Sequence, residues 1–344
     1  MAFYGYHDLT LALEWEKVAV EAELQSLLRD LSFLPTDASS TLPSLRLSVQ
    51  VSDHHWSYPS SAHEVFHAEG LSGREDEEGF YLTEGSSLLH LRASEGRAVA
   101  RLAASFFRQP SLLLQRFWTV GLLRLIRPLG LYVLHAAALV RPDGLGMLMV
   151  GESGSGKSTL AIGLIRQGWG YLSDDSVLLR QLSDEIHALA LRRPFSVDPR
   201  DAERCADLAL PAKQASPGKQ PSSGVSAKRR IEIRSLYPNQ FVPSCLPQVL
   251  LFLQLVPNQP SQVRPLSSVS ALRILLAQSA PPLFDRHTMS QHLEVLKGLV
   301  QDSRCLELLA GPELVQYPEN LTTLLAEAEG DEHGSHRDRT HQPV

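Results

Sequence analysis

Apolar and polar positions alternate over His7–Trp15, with Leu9, Leu11, Leu13 and Trp15 on one side, and then Leu24, Leu27, Leu28 and Leu31 recur at helical spacing. Side chains repeat every two residues along a strand and about every 3.6 along a helix, so the switch predicts a strand followed by a helix. The two-residue period returns at Leu45, Leu47, Val49 and Val51, and in parts of Gly79–Leu82 and Leu89–Arg101. Residues 1–110 therefore read as a smaller, β-rich α+β domain of strands joined by polar loops. Pro110–Leu129 is apolar at helical spacing, Leu131–Val140 predicts a strand, and Leu145–Val150 is a short apolar run suited to a buried parallel strand. Leu160, Ala161, Leu164 and Ile165 then follow helical spacing until Gly168 supplies a stop. Gly170–Asp175 is a short strand ending in two carboxylates, with a further apolar run at Val177–Leu179.

Alternating strands and helices of these lengths predict an α/β domain over residues 111–328. Within it, Ile231–Arg234 and Val249–Leu255 read as strands, and Ser267–Gln278, Arg286–Gln301 and Pro312–Ala328 as helices. Pro211–Ala227 is rich in Pro, Ser, Gly and Lys and is expected to be a mobile loop. Residues 329–344 carry almost no apolar side chains and are expected to be a disordered tail.

Composition narrows the function classes. The chain has 344 residues, 43% hydrophobic and 20% charged, which suits an ordinary globular protein large enough for two domains. No apolar run approaches the roughly 20 residues that span a bilayer, and the N-terminal residues are acidic and aromatic where a signal peptide would be basic and then apolar. A cytoplasmic protein with no membrane partner is expected. The three cysteines, Cys205, Cys245 and Cys305, are far apart and odd in number, which argues against a disulfide framework. A net charge of −6, with Lys228-Arg229-Arg230 the one compact basic cluster, argues against a nucleic-acid partner.

The chemistry is concentrated in Gly151-Glu152-Ser153-Gly154-Ser155-Gly156-Lys157-Ser158-Thr159. It meets the phosphate-loop pattern G-x-x-x-x-G-K-[ST] at every required position, with the strand before and the helix after that the pattern needs. Three glycines let backbone N–H groups curl round an anion, and the helix N-terminus adds partial positive charge. Lys157 can reach terminal phosphates, and Ser158 can offer its hydroxyl to Mg²⁺. At the end of the next strand, Asp174 and Asp175 suit phosphoryl transfer, one as metal partner and the other as base on an attacking hydroxyl. Successive strand residues face opposite ways, so both serve one site only if the strand has already ended and turned.

A second motif competes. His63-Glu64-Val65-Phe66-His67 fits the H-E-x-x-H pattern of zinc metalloproteases. That chemistry needs several helical turns to hold both histidines on one face, yet Pro59-Ser60-Ser61 precede the motif and Gly70, Ser72 and Gly73 follow it. These histidines read as surface residues of a short helix or loop, without zinc.

The loop and the acid pair together resemble the catalytic domain of the bacterial HPr serine kinase/phosphorylase family, whose fold is related to that of phosphoenolpyruvate carboxykinase. That family pairs a G-[DE]-S-G-x-G-K-S loop with two aspartates 17 and 18 residues beyond the lysine, and here 174 − 157 = 17 and 175 − 157 = 18. A family histidine lies on a strand about twenty residues before the lysine; His135 stands at 157 − 135 = 22, with one residue of slack in the hairpin between. Ile231-Glu232-Ile233-Arg234-Ser235 echoes the family's L-E-I-R-G signature, with Ser235 in place of glycine. The resemblance covers roughly residues 130–180, continues faintly to about 240 and leaves the first hundred residues untouched.

It implies a P-loop kinase domain of the HPr kinase type using ATP and Mg²⁺. Lys157 would contact the β- and γ-phosphates, and Ser158, Asp174 and Glu232 would form the metal site. Asp175 would be the base, with Asp174 beside it, and His135 would line the same crevice. The acceptor would be a serine hydroxyl of a protein or peptide, and a homo-oligomer is a form the family often takes. The family's later Pro-Gly-Arg-Asn segment has no counterpart near Arg264-Pro265, so phosphorylase activity is not implied. A small-molecule kinase and a non-catalytic ATP-sensing module are the alternatives; the retention of His135 and both aspartates favours catalysis, because sensing needs no base.

Overall fold

In the computed structural model, residues 1–16, 19–37, 43–52, 54, 56–191, 195–197, 229–279 and 287–328 are described. The expected mobile loop at 211–227 and the expected tail at 329–344 lie outside the described residues. Contacts divide the chain into two compact units, Met1–Tyr132 with Ala280–His292 and Val133–Ser279 with Leu293–Val344.

The first unit is built on a nine-stranded sheet. Its strands are β1 (Ala2–Tyr6), β2 (Leu9–Trp15), β3 (Leu34–Pro35), β4 (Leu45–Ser52), β5 (His63–Ala68), β6 (Leu71–Asp76), β7 (Gly79–Thr83), β8 (Leu88–Arg92) and β9 (Arg97–Ala103). They lie in the order β3-β1-β2-β4-β9-β8-β7-β6-β5. The alternation at Leu45, Leu47 and Val49 has its expected effect: all three are buried while Arg46 and Gln50 face solvent. β4 runs parallel to both β2 and β9. Helix α1 (Ala19–Asp30) connects β2 to the β3 and β4 side, burying Leu24, Leu27 and Leu28, with Leu31 just beyond it.

Helix α2 (Ser111–Ile126) packs on β7 and β8 of the same sheet. The approach is close enough that a Cβ on Gly121 would stand 2.2 Å from Leu89 Cδ2. The sequence-based boundary at 110/111 assigned this helix to the second domain; its packing assigns it to the first unit, and the division falls between Tyr132 and Val133. The H-E-x-x-H stretch is neither short helix nor loop. It forms β5, paired antiparallel with β6, and its Val65 and both histidines are exposed. A strand does not stack residues i and i+4 as successive helical turns do, so the metalloprotease geometry is not built.

Among its described residues the second unit holds a six-stranded, a four-stranded and a two-stranded sheet. Its strands are β10 (Tyr132–Leu134), β11 (Ala136–Val140), β12 (Gly146–Val150), β13 (Gly170–Ser173), β14 (Val177–Leu182), β15 (Glu185–Ala190), β16 (Phe195–Val197), β17 (Arg229–Ile231), β18 (Ser244–Cys245), β19 (Pro247–Leu255), β20 (Gln262–Pro265) and β21 (Arg304–Ala310). The six-stranded sheet runs β13-β11-β12-β19-β21-β20, β10-β14-β15-β18 form the four-stranded one, and β16 pairs with β17 in the last. β12, β19 and β21 are consecutive parallel neighbours, with β11 antiparallel to β12. All five residues of β12 are buried, as an unbroken apolar run in a parallel strand requires. Helix α3 (Lys157–Arg166) covers one face of this sheet, where Leu160, Leu164 and Ile165 join Trp169, Tyr171, Val249, Leu251 and Leu306 in one core.

Three predicted elements are broken in the structure. The strand expected over Leu131–Val140 splits at His135, whose N–H donates to the Gln278 carbonyl at 2.9 Å, and its halves enter different sheets. The strand expected over Ile231–Arg234 ends at Ile231, and Ile233–Leu236 turn into a short helix. Ser235 closes that turn, its N–H and its hydroxyl both donating to the Glu232 carbonyl at 3.1 and 2.7 Å. The helix expected over Pro312–Ala328 breaks after Pro312–Gln316, because Pro318 disfavours helical backbone at the residue before it; Tyr317 has φ −127° and ψ 72°.

Candidate active site

The loop after β12 is shaped by its glycines. Gly154 and Gly156 have φ of 87° and 92°, left-handed values that cost a side-chain-bearing residue about 1–2 kcal/mol. A Cβ on Gly151 would sit 2.7 Å from Ser155 Oγ and 3.0 Å from the Leu253 carbonyl oxygen, so the loop closes tightly on its own base. α3 begins at Lys157 with Gly156 as its cap residue, which has no side chain to bond the first-turn N–H groups. Those donors and the helix dipole point out of the start of a ten-residue helix, an arrangement that can hold an anion.

Lys157 is buried, and its ammonium donates to the carbonyls of Gly151 at 2.6 Å and Glu152 at 3.0 Å. The loop thus folds round its own lysine. Ser158, one residue on, donates from Oγ to Asp174 Oδ2 at 3.0 Å, and Asp174 is only 1% exposed. A hydroxyl and a carboxylate meeting beside the glycine-rich loop are hard oxygen donors of the kind Mg²⁺ prefers.

The strand before the acid pair ends at Ser173, whose side chain organises the turn. Ser173 Oγ accepts from the N–H groups of Asp175 at 3.4 Å and Ser176 at 3.3 Å. The turn sends Asp174 toward Ser158 and Asp175 toward His135, whose Nδ1 lies 3.3 Å from Asp175 Oδ1. The Ser176 hydroxyl donates to Asp175 Oδ2 at 3.1 Å. The Asp175 side chain keeps 45% of its surface accessible and His135 keeps 29%, so Asp175 is open to solvent where Asp174 is buried.

Glu232 is exposed and sits between β17 and the short helix that follows it. Its charge acts on Tyr171: burial first, and then the Glu232 carboxylate, push that phenol up to about 12, with Arg234 opposing. Among the described residues no three His, Cys, Asp or Glu side chains converge as a metal set.

A cleft of about 730 Å³ opens on the loop, lined by Gly151–Ser155, by Phe252–Leu255 of β19, by Glu307 and by Arg273. Gln278, whose carbonyl receives the His135 N–H, lines it too. Arg273, Glu307 and the hydroxyls of Ser173 and Ser176 did not emerge from motif reading. The signals were present but weak: a lone arginine in the apolar stretch Leu272–Ala277, and serines on both sides of the aspartates.

Residues 131–192 match the family model described as HPr Serine kinase C-terminal domain. This is an HPr-kinase-type segment. It runs from the start of β10 past the end of β15, and it contains His135, the phosphate loop and both aspartates, but not Glu232 or Arg273. HPr kinase/phosphorylase from Chlorobium chlorochromatii (strain CaD3) is 37% identical over 62 residues, covering 18% of this chain and 19% of that protein. Its counterpart from Chlorobium phaeovibrioides (strain DSM 265 / 1930) is 36% identical over the same length and coverage. The chain thus spans about a fifth of the length of the curated relatives it matches. Among solved structures, the Hpr(Ser) kinase/phosphatase from Coxiella burnetii aligns with 14% identity and a TM-score of 0.32, covering 58% of this chain and 98% of that one. Outside the HPr-kinase-type segment, the fold described above rests on this chain's own structure.

Proposed function

We propose that the chain is an ATP- and Mg²⁺-dependent kinase that transfers the γ-phosphate to a hydroxyl, with a serine of a protein or peptide as the favoured acceptor. The observation that carries this reading is the division of labour within the acid pair. Asp174 is sealed against Ser158 at 3.0 Å, whereas Asp175 faces outward beside His135 at 3.3 Å. A metal partner would be held against the loop and a base would stay open to the acceptor, and the surroundings of Asp174 and Asp175 differ in that way.

Ser158 and Asp174 would hold Mg²⁺, which when bound neutralises phosphate charge. The loop N–H groups and the α3 N-terminus would hold the phosphates, and Lys157 would leave the carbonyls of Gly151 and Glu152 for them. Asp175 would accept the proton of the acceptor hydroxyl as its oxygen bonds to the γ-phosphorus and the bond to the ADP oxygen breaks. His135 would orient Asp175 from the opposite side to Ser176. The names of the curated relatives make HPr the first acceptor to try, and a cytoplasmic, oligomeric enzyme belongs to the same proposal.

The test is label transfer from γ-labelled ATP, with Mg²⁺, to purified HPr and to a library of serine peptides. The reading expects serine-bound label that disappears in Asp175→Asn. Label that is equal in the variant, or absent from every acceptor in a protein that also fails to bind Mg²⁺–ATP, would contradict it.

A further inference from the structure

We infer that the face of the nine-stranded sheet turned away from α2 is a docking surface for an acidic, extended segment of a partner protein. The segment carries two carboxylates four residues apart with an apolar side chain midway between them. This inference concerns the first unit alone and does not depend on the chemistry of the phosphate loop.

Alternation gives the sheet two unlike faces. Leu47, Val49, Ala98 and Ala100 are buried on the side of Leu89, where α2 packs. Arg46, Ser48 and Gln50 of β4 and Arg97, Val99 and Arg101 of β9 therefore point the other way. Register then concentrates arginine on that face: Arg46 stands directly opposite Arg97 across β4 and β9, and Arg97 opposite Arg92 across β9 and β8. Neighbouring strands lie about 4.8 Å apart, so three guanidinium groups are rooted within about 10 Å. Like charges placed directly opposite are unfavourable in a sheet. Glu95 answers part of this, at 3.8 Å from Arg92 and 3.7 Å from Arg97, and Glu78 bonds Arg92 at 2.8 Å. Arg46 is exposed and makes no ion pair among the described residues.

The pattern along β9 sets the shape of the partner. Arg101 lies four residues beyond Arg97, about 13 Å at the rise of a strand, and half-buried Val99 stands between them on the same face. An extended segment laid along β9 has the same rise and the same alternation. Its residues i and i+4 fall on the two arginine ends, and residue i+2 falls on Val99. Glu14, paired with Ser48, bounds the surface on the β2 side. Nucleic acid fits this face less well, because the nearby rings are already engaged. The Arg101 guanidinium lies 5.2 Å from the centroid of Trp56 and that of Arg74 4.6 Å from Tyr58, while Tyr81 is buried and stacked on His90 at 4.5 Å. Such rings are poor platforms for bases. A guanidinium over a ring still has N–H donors for a carboxylate, which it meets through paired hydrogen bonds.

The test is fluorescence anisotropy of a labelled peptide carrying Asp-Ser-Leu-Ser-Asp between glycine–serine flanks, titrated with the full chain. Three probes run beside it: the peptide with both aspartates replaced by lysine, the peptide with its leucine replaced by serine, and a labelled oligothymidylate. Wild type is expected to bind the acidic peptide, less tightly as salt rises, and to prefer it to all three. Arg46→Glu is expected to weaken that binding about tenfold and Arg97→Gln about threefold. Because each relieves a like-charge pair, melting temperatures should be unchanged or raised. No binding of the acidic peptide, equal binding of the lysine peptide, or undiminished affinity in both variants would overturn the inference. So would losses of affinity that come with lowered melting temperatures in both variants, which would mark the arginines as structural. Equal affinity for the serine-centred peptide would remove Val99 and the proposed pattern. Tighter binding of the oligothymidylate, lost in the same variants, would make this a nucleic-acid surface and contradict the inference.

Discussion

Ser158 and Asp174 lie sixteen residues apart, one in the first turn of α3 and the other just past β13, yet the Ser158 hydroxyl donates to the Asp174 carboxylate at 3.0 Å. The bond is sheltered, with Asp174 almost fully buried. In the proposed kinase, an ionised Asp174 would be stabilised by the hydroxyl and by the positive end of the helix, and would partner the metal of a loop-bound phosphate. Asp174→Asn keeps the shape and removes the charge. The expected result is a raised Mg²⁺ requirement for ATP binding and turnover, read as a shift of the Mg²⁺ titration to about tenfold higher concentration or more. An unshifted titration would remove Asp174 from the metal site.

Lys157 is the loop's own ligand in this structure, bonded to the Gly151 and Glu152 carbonyls. Lys157→Ala removes an ammonium worth roughly 1.5–3 kcal/mol in a charge-assisted hydrogen bond, so ATP should bind about 10- to 100-fold more weakly. Calorimetry measures this directly. Because the lysine is buried and bonded, a modest drop in melting temperature should accompany the loss; an unchanged ATP affinity would contradict the phosphate-loop reading.

Two buried acids outside the candidate site are expected to set an alkaline limit on stability. Burial pushes the Cys245 thiol from 9.0 to about 12, and burial with the Glu232 charge pushes Tyr171 from 10.0 to about 12. In both cases the unfolded chain gives up its proton before the native one. The stabilisation is complete below pH 9 and declines as pH rises toward 12, by up to about 1.4 kcal/mol per pH unit for each group titrating. Urea unfolding between pH 8 and 11 should show this decline, and Cys245→Ala should flatten it above pH 9. An identical slope in the variant would remove Cys245 as its cause.

Much of the candidate site was legible in the chain because its chemistry is local. A phosphate loop is nine consecutive residues whose glycines act through backbone geometry and whose lysine acts through its ammonium, and the Asp174-Asp175 pair sits one helix and one strand later. The turn that separates the two aspartates is also local, set by the hydroxyl of the preceding Ser173. What could not be read depends on which distant segments meet. Leu131–Val140 is apolar almost throughout, so nothing in its period reveals that it changes sheet at His135; the change is fixed by Gln278, more than a hundred residues away. Likewise, α2 is apolar on much of its surface, and contacts such as Gly121 against Leu89 show which sheet it covers. The histidines of the H-E-x-x-H stretch were expected at the surface and are there, but on a strand, because pairing with β6 overrode a weak local preference.

The central claim is that Asp175 is the base of a phosphoryl transfer while Asp174 is not. The most direct measurement is single-turnover transfer from γ-labelled ATP to the acceptor, with enzyme in excess, comparing wild type with Asp175→Asn at saturating Mg²⁺ and ATP. Loss of a general base predicts a rate lower by about 10²- to 10⁴-fold, with ATP affinity largely kept because the base acts on the acceptor in the transition state. Raising Mg²⁺ should not restore it. A wild-type rate in Asp175→Asn, or a rate recovered by excess Mg²⁺, would contradict the account.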